Sequence, residues 1–267
     1  MFCGDFFHLK RFVFYYSSFI FDYFCSMNVY SQILTNVAQG KKMLCLLIDP
    51  DKNTVESLRQ LLFVIKDSTL DFIFVGGSLL SQNIDETIRL IKQETTIPVV
   101  IFPGSMHQVS AYADALLYLS LISGRNAEYL IGQQVQSAPL IKKMGIETIS
   151  VGYMLIDGGK PTSVEYISNT LPIPHDKEDI AVATALAAEL IGMKMLYLEA
   201  GSGAENPVSE RMISQVKKHC SVPVIVGGGI RSVEAMQAAF SAGADLVVIG
   251  NHFETHPSDI LKFVQGK

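Results

Sequence analysis

Uninterrupted apolar runs alternate with amphipathic stretches along most of the chain. Strands that are buried on both faces read as continuous apolar runs, which is typical of a parallel sheet. Runs alternating with helical patterns therefore predict an α/β fold, a single (β/α)8 TIM barrel. An open doubly wound sheet is the alternative, but the first glycine-rich turn lacks the G-x-G-x-x-G pattern of dinucleotide-binding folds. The eight predicted strands are residues 43–48, 72–75, 99–102, 115–121, 147–154, 195–199, 222–226 and 246–249.

Helical patterns fill most of the spaces between these strands. We expect a short helix ending at Ala113, and a helix over residues 207–219 with Pro207 in its first turn. Residues 157–176 break the rhythm, because they are rich in turn residues and include three prolines. They predict an extended loop over one end of the barrel.

The first 26 residues differ from the rest and are expected to lie outside the barrel, which then spans residues 27–267. They hold 11 of the chain's 25 Phe and Tyr residues, and their apolar stretch is too short to cross a bilayer. We favour an upstream translation artefact, with the true start at Met27. The alternatives are a disordered extension and a membrane-surface anchor, in which Lys10 and Arg11 flank the aromatic residues.

Composition excludes several classes of protein. The formal net charge is −5 and no long basic run occurs, so nothing indicates nucleic-acid binding. The four cysteines have no C-x-x-C spacing, which argues against a disulfide framework or a zinc site and favours a cytoplasmic location.

Glycine loops follow the last two predicted strands. Gly228 and Gly229 end the seventh strand, and Gly250 with Asn251 ends the eighth. Glycine lets backbone N–H groups approach an anion closely, and the next helix N-terminus adds partial positive charge. In TIM barrels this position commonly binds phosphate, so we predict a phosphate site rather than two structural turns.

Asp49 ends the first apolar strand, where an uncompensated carboxylate would be costly. Mg²⁺ binds one or two carboxylates together with phosphate oxygens and water, and Ser78 could add a hydroxyl ligand. The alternative is a role in capping the next helix, in which Asp51 or Asn53 takes part.

Tyr197 and Glu199 lie on the same face of the sixth strand because strand side chains alternate. In a barrel both would point into the mouth, where a carboxylate can accept the proton of a substrate hydroxyl. A hydrogen-bonded core pair is the alternative. Lys194 precedes this strand, which disfavours a Schiff-base aldolase.

Five motifs occur in a fixed order: L-x-D-P-D-K, V-G-G-S, Y-L-E-A-G-S-G, V-G-G-G-I-R and I-G-N. Together they resemble the geranylgeranylglyceryl phosphate synthase family, from about Met27 to the C-terminus. The resemblance implies a Mg²⁺-dependent prenyltransferase that joins geranylgeranyl diphosphate to sn-glycerol 1-phosphate through an ether and releases diphosphate. Some bacterial relatives use a longer, heptaprenyl donor, so the resemblance leaves the chain length of the donor open.

The resemblance also implies residue roles. Asp49 and Ser78 match the Mg²⁺ positions. In the reaction that the resemblance implies, the residues already singled out would be catalytic: Glu199 would orient and deprotonate the glycerol hydroxyl, and Tyr197 would help to place it. The glycerol phosphate positions are Tyr197, Leu198, Glu199, Ala200, Gly201, Ser202, Gly203, Gly228, Gly229, Gly250 and Asn251. Some relatives carry a lysine where this chain has Leu47.

Other expectations rest on weaker signals. Phe102, Leu121 and Tyr153 are candidates for an apolar prenyl groove, with ordinary core packing as the alternative. A homo-oligomer and peripheral membrane contact are expected from the resemblance and the lipid substrates. Alternative functions are a sugar-phosphate isomerase or epimerase and a non-catalytic phosphometabolite-binding barrel.

Overall fold

The computed structural model describes residues 28–250, 253 and 256–267. Its eight strands form a closed barrel in sequence order, and every neighbouring pair is parallel, including the pair that joins β1 to β8. The (β/α)8 prediction is therefore confirmed. The strands are β1 Met43–Ile48, β2 Phe72–Val75, β3 Val99–Ile101, β4 Ala115–Leu121, β5 Glu147–Leu155, β6 Met195–Glu199, β7 Val224–Gly227 and β8 Leu246–Ile249.

Helices surround the barrel and one precedes it. A five-residue π-helix at Glu128–Gly132 leads into the fourth helix, and short 3-10 turns lie at Pro50–Lys52 and Pro257–Asp259. The α-helices are α1 Val29–Ala38, α2 Val55–Ile65, α3 Ile84–Glu94, α4 Gln133–Met144, α5 Ser163–Ser168, α6 Glu178–Leu190, α7 Glu210–His219, α8 Val233–Ala242 and α9 Ile260–Gln265.

The helix expected to end at Ala113 does not form. The Gln108 side chain accepts a hydrogen bond from Gly104 N at 3.0 Å and donates one to Gly77 O at 2.7 Å. These bonds hold the connection between β3 and β4 against the loop after β2, so that connection runs without a helix.

Two other boundaries were wrong. Pro207 precedes α7, which begins at Glu210, because the Ser209 side chain accepts a hydrogen bond from Met212 N and caps the helix there. Residues 157–176 are not wholly an extended loop, since they contain α5. The proposed extension at residues 1–26, its alternatives and the start at Met27 lie outside the described residues.

The barrel interior and the layer between barrel and helices form two apolar clusters. Alternate strand residues such as Cys45, Phe74 and Ile225 fill the interior, and Val29 and Ile33 of α1 pack against the same cluster. Helix α1 thus closes the amino-terminal end of the barrel. Glu147, which begins β5, accepts hydrogen bonds from the first two backbone N–H groups of α1.

Acidic residues organise the same end of the barrel. Asp71, Asp114 and Asp245 each precede a strand and accept a backbone N–H from the start of a neighbouring strand at 2.8 to 2.9 Å. Each also pairs with a lysine at 2.6 to 3.2 Å. These carboxylates have structural partners, so the carboxyl ends of the strands are the place to look for chemistry.

Within the described part of the chain, no helix has the length and apolar character needed to cross a bilayer.

Candidate active site

A cavity of about 770 Å³ opens at the carboxyl ends of the strands. Residues from every strand of the barrel, or from the loop that follows it, line this cavity, which brings together most of the residues predicted from sequence. The predicted residues that line it are Asp49, Ser78, Phe102, Leu121, Tyr153, Tyr197, Glu199, Ser202, Gly203, Gly228, Gly229 and Gly250.

Glu199 and Tyr197 form a hydrogen-bonded pair at the buried side of this cavity. Alternation along β6 points both side chains inward, as expected. One carboxylate oxygen of Glu199 also accepts a hydrogen bond from Gly201 N at 2.7 Å. The two partners fix the carboxylate in one orientation while it still borders the cavity.

Burial raises the pKa of Glu199 to about 7, although the bonds from Gly201 and Tyr197 act in the opposite direction. Burial, followed by the nearby Glu199 charge, raises the pKa of the Tyr197 and Tyr153 hydroxyls well above their usual value. The site thus combines a carboxyl group that exchanges its proton near neutral pH with two phenols that stay protonated.

The glycine loop after β7 packs directly on this carboxylate. A Cβ at Gly228 would lie 2.5 Å from Glu199 Oε1 and 2.6 Å from Gly201 N, and Gly228 has a φ of 81°. A Cβ at Gly227 would lie 2.4 Å from the Tyr197 hydroxyl. Side chains at these two positions would displace the acid–phenol pair, so both require glycine for space, and Gly228 requires it for its backbone conformation as well.

Asp49 lies at the cavity wall with its carboxylate at the loop after β2. Its Oδ1 accepts a hydrogen bond from Asp51 N at 3.1 Å and its Oδ2 lies 3.6 Å from Lys52 Nζ. A Cβ at Gly77 would come within 3.1 Å of the carboxylate. Ser78, the next residue, borders the same cavity.

The capping alternative for this turn is only partly correct. Asp49 caps the short 3-10 turn Pro50–Lys52. Helix α2 is capped by Thr54, which exchanges hydrogen bonds with Ser57 in a capping box, so neither Asp51 nor Asn53 caps it. Asp49 thus combines a local capping bond with a carboxylate that faces the cavity.

The oxygen donors here suit Mg²⁺ when a phosphate-bearing substrate is present. A carboxylate and a hydroxyl are ligands that Mg²⁺ prefers, and the ion usually completes its shell with phosphate oxygens and water. No cluster of three or more acidic, His or Cys side chains suited to a metal occurs among the described residues. The donors that are present would need oxygens from a substrate or from water to complete the shell of the ion.

Aromatic rings form the inner wall of the cavity. Tyr153 stacks on Tyr197 with ring centroids 5.3 Å apart, and the Phe102 ring contacts Tyr197 edge-on at 5.1 Å. Phe102 and Tyr153 also belong to the interior apolar cluster or pack against it. These rings therefore pack in the core and line the cavity at the same time, and their role in a prenyl groove stays a prediction.

The cavity continues from the aromatic rings toward β4 and α4. Its wall there includes Leu116, Leu119 and Ile141, together with Val109 from the connection that lacks a helix. Tyr129 borders the cavity as well, and its hydroxyl donates a hydrogen bond to Ile167 O of α5 at 3.3 Å. This extension gives the polar site a largely apolar annex.

Three residues of the predicted glycerol phosphate segment do not line the cavity. Leu198 and Ala200 point outward into the layer between barrel and helices, as alternation along the strand requires. Gly201 contributes its N–H to Glu199, and a Cβ there would collide with Thr162. Asn251 lies outside the described residues.

The structure adds three residues to the site that we did not assign from sequence. Gly227 contacts the acid–phenol pair, and Lys52 and Arg231 line the cavity. Arg231 donates hydrogen bonds to the carbonyls of residues 203–205, which joins the loops after β6 and β7. All three belong to motifs quoted above, D-P-D-K and V-G-G-G-I-R. Their place in these motifs was the one feature of the sequence that could have assigned them to the site.

Comparison with known proteins agrees with this geometry. The profile of the PcrB family matches residues 36–267. The chain belongs to the PcrB family. A geranylgeranylglyceryl phosphate synthase from Chitinophaga pinensis is 53% identical over 231 residues, which cover 86% of this chain and 92% of the relative. One from Methanosphaera stadtmanae is 42% identical over 85% of this chain and 93% of the relative.

A solved structure gives the same result. The crystal structure of (S)-3-O-geranylgeranylglyceryl phosphate synthase from Thermoplasma acidophilum, in complex with its substrate sn-glycerol-1-phosphate, superposes with a TM-score of 0.84. It is 36% identical and covers 90% of this chain and 98% of its own. This PcrB family member is therefore an enzyme, a prenyltransferase.

Proposed function

We propose that the chain catalyses Mg²⁺-dependent transfer of a geranylgeranyl group from its diphosphate to the terminal hydroxyl of sn-glycerol 1-phosphate. The observation that carries this proposal is the buried Glu199–Tyr197 pair, which lies between the glycine loops and the Asp49 loop in a single cavity. A phosphate-binding barrel without chemistry would not need a buried carboxylate whose pKa is about 7.

The glycine loops would hold the small acceptor. Gly228 and Gly229 both adopt positive φ, which turns the backbone tightly beside Glu199, and Gly250 borders the cavity from the neighbouring strand. Backbone N–H groups in such loops bind phosphate. The acceptor's terminal hydroxyl would then lie against the Glu199 carboxylate, which supports direct proton removal.

Glu199 would accept the hydroxyl proton as the ether forms. The hydroxyl oxygen supplies the electron pair for the new bond to the first prenyl carbon. The bond from that carbon to the diphosphate oxygen breaks, and its electrons leave with the diphosphate. Tyr197 donates a hydrogen bond to Glu199 and keeps the carboxylate aligned with the acceptor.

The aromatic wall would face the prenyl carbon as positive charge develops on it. Faces of Phe and Tyr rings attract cations and exclude water that could trap an allylic cation. Phe102, Tyr153 and Tyr197 are in mutual contact, so the wall is rigid. The annex toward β4 and α4 would accommodate the apolar chain.

Asp49 and Ser78 are the residues that would hold Mg²⁺, because both present oxygen donors at the same side of the cavity. The ion would supply charge that neutralises the diphosphate as it leaves.

Transfer is tested with radiolabelled sn-glycerol 1-phosphate, Mg²⁺ and prenyl diphosphates of 15 to 35 carbons (roughly the range of common chain lengths). We expect label to move into an organic phase, most rapidly with the C20 donor. Label that stays in water with every donor, while a sugar phosphate is isomerised, would favour the epimerase alternative. Turnover of neither would favour a non-catalytic binding barrel.

Replacing Asp49 by asparagine is expected to raise the Mg²⁺ concentration needed for half-maximal rate by about 10-fold or more. The amide keeps the acceptor for Asp51 N but removes the charge that attracts the cation. A metal titration of initial rates measures this. Asp176→Asn, an exposed aspartate outside the cavity, is the matched control. Equal titrations for all three proteins would assign Asp49 to turn capping alone.

A homo-oligomer, peripheral membrane contact and a cytoplasmic location stay predictions.

A further inference from the structure

The D-P-D-K motif contains more charge than the proposed metal site uses. Asp49 accounts for the first position, but Lys52 also lines the cavity. Its ammonium lies 3.6 Å from Asp49 Oδ2, which is an ion-pair distance rather than a close hydrogen bond. About two-fifths of the Lys52 side chain is exposed. The group therefore combines contact with the carboxylate and access to the cavity.

The turn that carries Lys52 is fixed from several sides. Asp49 O accepts hydrogen bonds from Lys52 N and from the Asn53 side chain. The Asp51 carboxylate accepts bonds from Ser81 N at 2.8 Å and Gln82 N at 2.9 Å, which joins this turn to the loop after β2. The Ser81 hydroxyl donates a further hydrogen bond to the same carboxylate at 2.9 Å, so the turn is clamped against that loop by three bonds.

This clamp has a consequence for the site. Asp49 and Ser78 come from different loops, and Asp51 holds those loops together. Lys52 follows Asp51 directly in the chain, so it lies at the same junction. A substrate group bound between Asp49 and Ser78 would therefore meet the Lys52 ammonium as well.

An anionic ligand of the cavity would meet few cationic side chains, because the described wall carries two of them beside the carboxylates Asp49 and Glu199. The cationic side chains in the described part of its wall are Lys52 and Arg231, apart from His256. Arg231 follows β7 and donates its hydrogen bonds to backbone carbonyls of the loop after β6. Lys52 is on the Asp49 side, where the proposed function places a diphosphate.

Leu47 strengthens the assignment. It borders Gly250, whose Cβ position lies 3.3 Å from Leu47 Cβ, so residue 47 lies beside the glycine loop after β8. A cation at position 47 would serve the acceptor phosphate, and here that position is apolar. Lys52 follows Asp49 in the chain and lies beside its carboxylate, where it could bind the diphosphate of the donor.

We propose that Lys52 binds the diphosphate of the prenyl donor and shifts from Asp49 to the diphosphate when the donor and its metal arrive. This inference rests on the proposed function. The ammonium donates hydrogen bonds to oxygens that gain negative charge as the carbon–oxygen bond breaks. Such charge-assisted bonds strengthen in the transition state, so Lys52 contributes to catalysis as well as to donor affinity.

The experiment measures binding of inorganic pyrophosphate, with Mg²⁺ present, by calorimetry on the full chain. Lys52→Met is expected to weaken pyrophosphate binding on the order of 10- to 100-fold, the range for a hydrogen bond between charged groups. Binding of sn-glycerol 1-phosphate should change less than about 2-fold, since the acceptor would bind at the glycine loops after β7 and β8, whereas Lys52 is on the loop after β1. Lys52→Arg should restore part of the pyrophosphate affinity because it keeps the charge.

Kinetics supply the second readout. With Lys52→Met, kcat/KM for the prenyl diphosphate should fall while KM for sn-glycerol 1-phosphate stays the same. Lys160→Met removes an exposed lysine outside the cavity and should behave like the unmodified chain. If Lys52→Met folds poorly, Lys52→Gln, which keeps a polar side chain, replaces it.

The outcomes separate this inference from the proposed function. Unchanged pyrophosphate binding, or equal weakening of pyrophosphate and glycerol phosphate, would overturn the role of Lys52 even if prenyl transfer is found. Selective loss of pyrophosphate binding would support it even if the transfer assay fails, because that measurement requires no reaction.

Discussion

Replacing Glu199 by glutamine is expected to lower kcat by about 100-fold or more, within the usual range for lost general base catalysis. Glutamine is nearly isosteric and can still accept the hydrogen bond from Gly201 N. It cannot take the acceptor's proton. The structure should therefore survive while the reaction slows, and KM for sn-glycerol 1-phosphate should change much less than kcat.

The pH profile tests the same role without a mutation. Because burial raises the pKa of Glu199 to about 7, the carboxyl group is largely protonated below that pH and cannot act as a base. We expect kcat/KM to fall about 10-fold per pH unit well below pH 7 and to level off above it. Glu205→Gln, an exposed carboxylate on the same loop, should keep both rate and profile. A profile without a limb near pH 7, or a fully active Glu199→Gln enzyme, would remove Glu199 from proton transfer.

Stability gives an independent measure of this pKa. Below pH 4.5 the Glu199 carboxyl group is protonated in both the folded and the unfolded chain, so its ionisation does not change the free energy of unfolding. Between 4.5 and about 7 only the unfolded chain ionises, so the folded state loses stability as pH rises, by about 3 kcal/mol in total. Above pH 7, Glu199→Gln should therefore unfold at higher urea concentrations than the unmodified chain, with no difference at pH 4. If the two proteins unfold at the same urea concentration at both pH values, the raised pKa of Glu199 is contradicted.

The fold was predictable because its signal is repeated. Runs such as Met43–Ile48 and Leu246–Ile249 are buried on both faces, and such runs are hard to build except as parallel strands. The connection after β3 was less predictable. Its conformation depends on Gln108 reaching Gly77, about 30 positions earlier in the chain, and periodicity within a segment carries no information about such a bond.

The site was predictable where strand geometry alone decides it. Alternation placed Tyr197 and Glu199 together, and it also explains why Leu198 faces outward although it lies between them. Gly227 was missed for a different reason. The need for glycine there comes from the Tyr197 hydroxyl, which lies on the neighbouring strand β6. The pairing register of the two strands is known from the structure and could not be read from the sequence of either strand.

Lys52 shows the same limit. Its residue type and its place in a motif are visible in the sequence, but its function depends on the loop after β2, which Asp51 holds against the turn. A motif indicates that residues act together without indicating which partner each one faces. Contacts between loops assign the roles.

Replacing Gly228 by alanine is expected to damage both stability and activity. A left-handed alanine costs roughly 1–2 kcal/mol, and forcing a methyl group into a packed region adds about 1–3 kcal/mol. The added Cβ would lie 2.5 Å from Glu199 Oε1 and 2.6 Å from Gly201 N, so either the carboxylate or the loop must move. A displacement of about 1 Å at a reacting group can cost about 100-fold in rate, and we expect a loss of that order in kcat/KM.

Gly145→Ala separates the steric effect from the backbone effect. Gly145 has a φ of 71°, close to that of Gly228, but no heavy atom lies within 4 Å of its Cβ position, and it ends α4 at the opposite end of the barrel from the cavity. This variant should lose only the left-handed penalty, about 1–2 kcal/mol in urea unfolding, and keep full turnover. If Gly228→Ala loses no more stability than Gly145→Ala and remains active, the loop after β7 does not press on Glu199, and the glycines there serve the turn alone.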